Sequence, residues 1–264
     1  MIHASNKLSF LAALAMSCGL VACGDAAEDD DAAPNNDPNN DPNNDPNNGE
    51  IELCFEPSLS AALCDPASVT FTLASVNPFY PLTPGLRVVL EGDDEGEAVR
   101  IEREVLEETE VVNGVETHVL LHKEFVDGEL IETARNFYVE TTEGTVCYFG
   151  EFVENVDEAG INNDGSWRAG QDGALPGIIM PATPAVGQGY IQENAAAQDA
   201  LDMGEVAEVG ASRTINGEAR DDVLIVMDSN PLEDCDEAEE KLYLPGVGEV
   251  SDNGIDLIEF TPGR

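Results

Sequence analysis

Three basic residues, two histidines and four cysteines carry most of the chemistry this sequence offers. Arg103, Lys123 and Arg135 fall among alternating apolar residues between Val99 and Val153. Projecting from the apolar side of a sheet, they would form an anion-binding spot in an apolar concavity, suited to a carboxylated or lipidic ligand. The competing account is pairing within the domain, Arg135 with Glu151 opposite it. His118 and His122 have the i, i+4 spacing of helical zinc ligands. On a strand that spacing spans ~13 Å, too far to share one metal. They read as solvated residues on a polar face, and no metal ligand is assigned. Nucleophile elbow, H-E-x-x-H, Walker loop and dinucleotide fingerprint are all missing from the sequence. Paired carboxylates can hydrolyse glycosides, but with 45 acids after residue 50 a pair arises by chance and selects nothing. No catalytic residue is assigned, and the chain reads as non-catalytic. The acidic stretches Glu91–Glu95 and Asp157-Glu158 lack the spacing of a calcium loop, so only weak surface binding of Ca²⁺ is expected, and no other cofactor.

The cysteines speak to compartment. Cys54, Cys64, Cys147 and Cys235 remain once Cys18 and Cys23 are set aside. An even count in an exported chain suggests two disulfides, with three possible connectivities. Cys54 and Cys64 enclose nine residues and are the local choice, which leaves Cys147 with Cys235. No C-x-x-C occurs, which argues against zinc.

The chain begins with a segment that has the features of an address. Residues 1–22 contain no acid, in a chain of 54 acids against 11 Lys and Arg. Lys7 precedes the short apolar run Leu8–Met16, too short to span a bilayer. Leu20-Val21-Ala22-Cys23 then resembles a bacterial lipobox, with Cys23 the lipidated residue; Ala15-Met16-Ser17 before Cys18 fits less well. Acyl chains on Cys23 would give stable membrane anchoring. Gly24 stands where Asp retains enterobacterial lipoproteins at the inner membrane, so the outer membrane is favoured. The bacterial cell envelope is therefore the expected location.

Residues 23–50 hold the lipidated cysteine and an acidic tether in which DPNN occurs three times from Asp37 to Asn48. With almost nothing to bury, this tract cannot offset the entropy of ordering. Proline and like charge keep it extended, reaching ~30 Å as a coil and at most ~80 Å in polyproline II geometry.

The folded part, 51–264, keeps 45 acids and ten Lys and Arg, about −35 of the total −43. Such a surface repels phosphate backbones and anionic headgroups, which excludes nucleic acid as a partner. Asn113-Gly114, Asp127-Gly128 and Glu143-Gly144 punctuate the alternation as hairpin turns. Two loop lengths compete. A two-residue loop puts Glu132, Asn136 and Glu140 on the face of the apolar set. A three-residue loop with Gly in a bulge puts Phe137 and Val139 there instead, and burial selects it. In that register Val139 opposes Cys147, Arg135 opposes Glu151, and Arg103 lies beside Lys123, all three basic residues pointing inward.

Ser68–Leu73 and Leu86–Leu90 are expected strands before this meander. Asp221–Met227, Glu240–Leu244 and Ile255–Phe260 are expected after it. Residues 154–186 read as a long loop whose Trp167 either pins it to the core or forms a binding tip. Asn194–Met203 reads as a short helix. The class is mainly β: one domain on an antiparallel meander, as a curved sheet, half-barrel or sandwich, preceded by the disordered tether.

Asn77-Pro78-Phe79-Tyr80-Pro81-Leu82-Thr83-Pro84-Gly85, Pro176-Gly177-Ile178-Ile179-Met180-Pro181 and Tyr243-Leu244-Pro245-Gly246-Val247-Gly248 together resemble a group of uncharacterised secreted or lipid-anchored bacterial proteins. The resemblance covers about residues 77–260. It implies secretion and a β-rich fold, and no activity. The expected role is a lipid-anchored envelope protein whose β-domain binds an unidentified envelope partner or an apolar or anionic small molecule. A carboxylate hydrolase and a cation-dependent structural or adhesion module are the alternatives.

Overall fold

The computed structural model describes residues 51–157 and 159–264; the signal, Cys23 and the whole tether lie outside them. Among the described residues fifteen strands make one antiparallel sheet. After β1 (Phe71–Thr72), the central meander is β2 (Arg87–Asp94), β3 (Glu97–Val112), β4 (Val115–Val126), β5 (Glu129–Thr141) and β6 (Val146–Asp157), and β1 pairs with β5 off the main path. Four short strands follow: β7 (Gly160–Asn162), β8 (Trp167–Arg168), β9 (Gly177–Met180) and β10 (Gly189–Ile191). The C-terminal part supplies β11 (Met203–Ile215), β12 (Glu218–Ser229), β13 (Glu239–Leu244), β14 (Gly248–Asp252) and β15 (Ile255–Thr261). The sheet path runs β10-β11-β12-β13-β14-β15-β2-β3-β4-β5-β6-β7, and β15 joins the C-terminal part to β2. The mainly β meander expected from the sequence is therefore present. Residues 154–186 contain β7, β8 and β9 rather than one long loop, and Asn194–Met203 makes only a 3-10 turn at Ala196–Gln198.

The turns set the register. Asn113-Gly114 and Asp127-Gly128 both take positive φ, as do Glu95-Gly96, Asn216-Gly217 and Asn253-Gly254. Two residues of that hand form the tight turn whose twist matches paired strands, and Asn, Asp and Gly tolerate it at least cost. Val112 accordingly pairs with Val115 and Val126 with Glu129 across two-residue loops. The three-residue loops expected on burial grounds do not form at these turns. Bulges then shift the pairing: one lies between Val105 and Thr109, another follows Glu124, and a third falls at Phe149-Gly150. Val139 still opposes Cys147, but Arg103 opposes His122, and Arg135 opposes Phe152 rather than Glu151.

The register therefore turns the even positions of β4 and β5 inward. His118, His122, Glu124, Glu132 and Asn136 are buried. The histidines expected at the surface are thus interior. The odd set is not wasted: Phe137, Val139, Cys147 and Phe149 are also buried. The N-terminal segment covers them, with Phe71 edge-on to Phe149 at 5.4 Å and Cys64 bonded to Cys147. Both faces of β5 and β6 are buried at this end, so burial alone could not decide the register.

The sheet is open by strand pairing but curls until its ends meet. β9 pairs with β6, and beside β9 the Leu175 N–H donates to the Asn194 carbonyl at 2.9 Å, next to β10. Gly177 lies so close to the Gln192 carbonyl that no Cβ fits. An enclosed interior results.

The disulfides are Cys54–Cys235 and Cys64–Cys147, so the four cysteines form two bonds with a different pairing from the local one expected. The reason is the path of residues 54–72. Ser60 caps a 3-10 turn at Ala61–Cys64 that leaves Cys64 fully buried on β6. Upstream, the Ser58 and Leu59 N–H groups both donate to the Gly189 carbonyl. The segment is spread over the sheet instead of folding on itself. Peptide mapping without reduction is expected to recover 54–235 and 64–147 cross-links. Replacing Cys64 and Cys147 together by Ala should cost about 2–5 kcal/mol in denaturant unfolding.

Candidate functional site

The three sequence motifs converge in space. The Asn77 side chain donates to the Gly144 and Pro181 carbonyls at 2.8 and 3.0 Å, and accepts from the Phe79 and Tyr80 N–H groups. Both oxygens of Glu140 accept from the Val76 and Asn77 N–H groups. The Gly246 N–H donates to the Pro78 carbonyl at 2.7 Å. Each motif thus anchors another.

At this junction lies a small half-open pocket with a cavity volume of about 30 Å³. Tyr80, Pro81 and Val247 from the motifs wall it, with Leu86 and Val88 beside them. Arg103 and Glu249 are the charged side chains lining it. β3 presents Arg103 inward on the same face as Ile101 and Val105, both buried.

Arg103 is fully engaged. Its Nε donates to His122 Nδ1 at 3.1 Å, Nη2 donates to Asp252 Oδ2 at 3.0 Å, and Nη1 pairs with Glu249 Oε1. Asp252 is shared with Lys241, whose Nζ lies 3.8 Å from it and 3.1 Å from Asp228. The Gln192 amide donates to the other Asp228 oxygen. Burial opposes charge on Arg103 and Lys241, but the surrounding carboxylates outweigh it and both stay protonated. Burial likewise opposes the Asp252 carboxylate, yet Lys241 and Arg103 hold it below its ordinary range. His122 is pushed down to about 3, by burial first and then by Arg103, so it stays neutral.

Deeper along β4, β5 and β6 the interior is acidic. Burial and then Glu124 push Glu132 up to about 8; burial and then Glu132 do the same to Glu151. Burial raises Glu124 and Glu239 to about 7. Glu193, also raised well above its ordinary range by burial and then by Glu151, shares a hydrogen bond with Glu151. Two carboxyls in that contact hold a proton between them. Tyr148 stacks edge-on against buried Trp167 at 5.1 Å, so Trp167 pins its segment and is not an exposed tip.

Of the three basic residues expected inward, the structure brings only Arg103 to the interior. Arg135 pairs with Glu108 and is one-third exposed. Lys123 alternates with buried His122 and Glu124, opposite Glu102 and Thr133, and so faces the other side. The two-residue loops and bulges account for this. Sequence reasoning missed Glu249, Asp252, Asp228 and Lys241. Lys241 was detectable: it is one of three lysines in the chain and heads the apolar stretch Leu242–Leu244. Among the described residues no three His, Cys, Asp or Glu side chains are placed to hold a metal, and no helix is long and apolar enough to cross a membrane. Compared with protein-family models, curated proteins and solved structures, the chain matches none.

The acidic interior sets a pH dependence. Glu124, Glu132, Glu151 and Glu239 keep protons to about 7 or 8 when folded. Unfolded, they release them near the ordinary glutamate value of about 4.3. A raised folded-state value means that this stability is complete below the unfolded value and is lost as pH rises through 7–8. His118 and His122 act oppositely, through proton uptake by the unfolded chain below their ordinary value. Calorimetry at constant salt should therefore give a higher Tm at pH 5.5 than at pH 8.5. The Glu132→Gln, Glu151→Gln double variant should show a smaller difference; a Tm rising with pH would contradict proton retention inside.

Proposed function

We propose that this chain is a lipid-anchored protein of the bacterial cell envelope whose β-domain is a non-catalytic binding module. Its ligand is a small, largely apolar molecule seated among Tyr80, Pro81, Val88 and Val247. The pocket carries the reading. It is apolar-walled, it sits where the sequence motifs meet, and Arg103 and Glu249 supply its polar end. Leu20-Val21-Ala22-Cys23, placed after Lys7 and an apolar run, supports lipidation of Cys23, and Gly24 supports the outer membrane. Two disulfides fit an oxidising compartment. The likeness to secreted or lipid-anchored bacterial proteins points the same way.

The Glu151–Glu193 carboxyl pair supports a hydrolase as the second reading. It stands behind the first because neither residue lines the pocket and Glu151 is buried.

Fluorobenzene, followed by ¹⁹F NMR on the purified domain, tests the binding reading. Broadening and shift of its resonance are expected with the native chain. Val88→Phe and Val247→Trp should each weaken binding about tenfold or more, a loss of about 1.4 kcal/mol, with the Tm largely kept. Phe152→Ser, on the outer side of β6, should leave binding unchanged. Equal binding by the pocket-filled variants would refute the site.

A further inference from the structure

The partners of Arg103 are not equivalent. His122 and Asp252 hold it from the interior side and do not line the pocket; Glu249 does. Asp252 has a second cation in Lys241, so it remains neutralised whatever occupies the pocket. Glu249 has, besides the Arg103 ion pair, a long hydrogen bond from the Tyr243 hydroxyl at 3.4 Å and the field of Lys241, with which no second ion pair forms among the described residues. Its side chain is 10% exposed and that of Arg103 12%. The Glu249 carboxylate is thus the one counter-ion of Arg103 that a ligand entering the pocket meets first and can replace.

We infer that the pocket selects small monocarboxylates with an apolar body, whose carboxylate takes the place of the Glu249 carboxylate at Arg103 Nη1 while Glu249 takes up a proton. The inference rests on the reading of this pocket as the binding site. No covalent bond to carbon forms or breaks. A ligand carboxylate and one proton from water enter, the guanidinium keeps its charge, and Glu249 becomes a neutral carboxylic acid within reach of the Tyr243 hydroxyl.

Electrostatics requires the proton. With Glu249 ionised, Arg103 would face three carboxylates among largely buried side chains, and a buried unpaired charge is strongly unfavourable. Burial already raises Glu249 above its ordinary range. Other groups around Arg103 keep their charge through neutral pH. His122 and Tyr80 stay neutral, at about 3 and about 12. Tyr243 is raised well above its ordinary value by burial and stays neutral too. Lys241 stays charged, and Asp252 stays ionised. Glu124 and Glu132, further along the interior, also titrate near 7 and 8 and feel Arg103, so the decisive variant must alter Glu249 alone.

The test compares 4-fluorobenzoate with 4-fluorobenzyl alcohol by ¹⁹F titration at pH 5.5 and pH 8. In the native chain 4-fluorobenzoate should weaken about tenfold or more over that range, and the alcohol by less than about twofold. Calorimetry at pH 6.5 in buffers of different ionisation enthalpy should show uptake of roughly one proton with the benzoate only. Glu249→Gln should bind 4-fluorobenzoate about tenfold more tightly at pH 8 and lose most of the pH dependence. Unchanged affinity and pH dependence in this variant overturn the inference. Should the variant fail to fold by circular dichroism, the native chain decides: benzoate binding without proton uptake overturns the exchange. Fluorobenzene separates the two levels. If it does not bind, the pocket reading itself fails; if it binds and 4-fluorobenzoate does not, only the carboxylate exchange fails.

Discussion

Arg103 on β3 reaches Asp252 and Glu249 on β14, although β2 and β15 lie between these strands in the sheet. Flat strands spaced ~4.8 Å apart would place the partners beyond the reach of an arginine side chain. The contact therefore exists only because the sheet curls, and it favours that curl in return. Removing one partner of such a buried set leaves a charge without water or counter-ion, at about 3–5 kcal/mol. Lys241 extends the same network to Asp228 on β12, so with His122 on β4 five strands meet around two cations. The pocket inherits its polar end from this network.

The rest of the interior meets the cost of burying acids differently. Too few cations are present to neutralise Glu124, Glu132, Glu151 and Glu193, and burial instead raises all four, Glu132 and Glu151 to about 8 and Glu124 to about 7. A carboxyl that holds its proton is a hydrogen-bond donor as well as an acceptor, which is what the Glu151–Glu193 contact requires. A chain with 45 acids after residue 50 thus has two populations of them, solvated and ionised outside, protonated or paired within.

Much of the fold could be read from residues alone. Asn-Gly and Asp-Gly pairs spaced along an alternating pattern mark a meander, and the strands at Leu86–Leu90 and Ile255–Phe260 fall where β-branched and apolar residues cluster. Register could not be read the same way. It was weighed on the premise that Phe137 and Val139 must face inward and Glu132 and Asn136 outward. In the folded chain both sets are buried, one under the N-terminal segment and one in the interior. Local turn chemistry prevailed over that premise. The site was half visible: Arg103 stood out among scarce basic residues, and Tyr80 and Val247 lay in quoted motifs. Glu249 and Asp252 did not, because in so acidic a chain nothing marks one carboxylate from another until a distant arginine is brought beside it.

The Cys54–Cys235 bond joins residues 181 apart, and Cys54 lies only three positions after Ile51, the first described residue. Among the described residues, a pull applied at Ile51 meets this covalent link before Ser58 and β1. Force then passes to the turn before β13 instead of peeling the Ser58–Gly189 hydrogen bonds and β1 away one at a time. The linkage works as a strain relief, and the sheet behind it can be tugged without being unzipped.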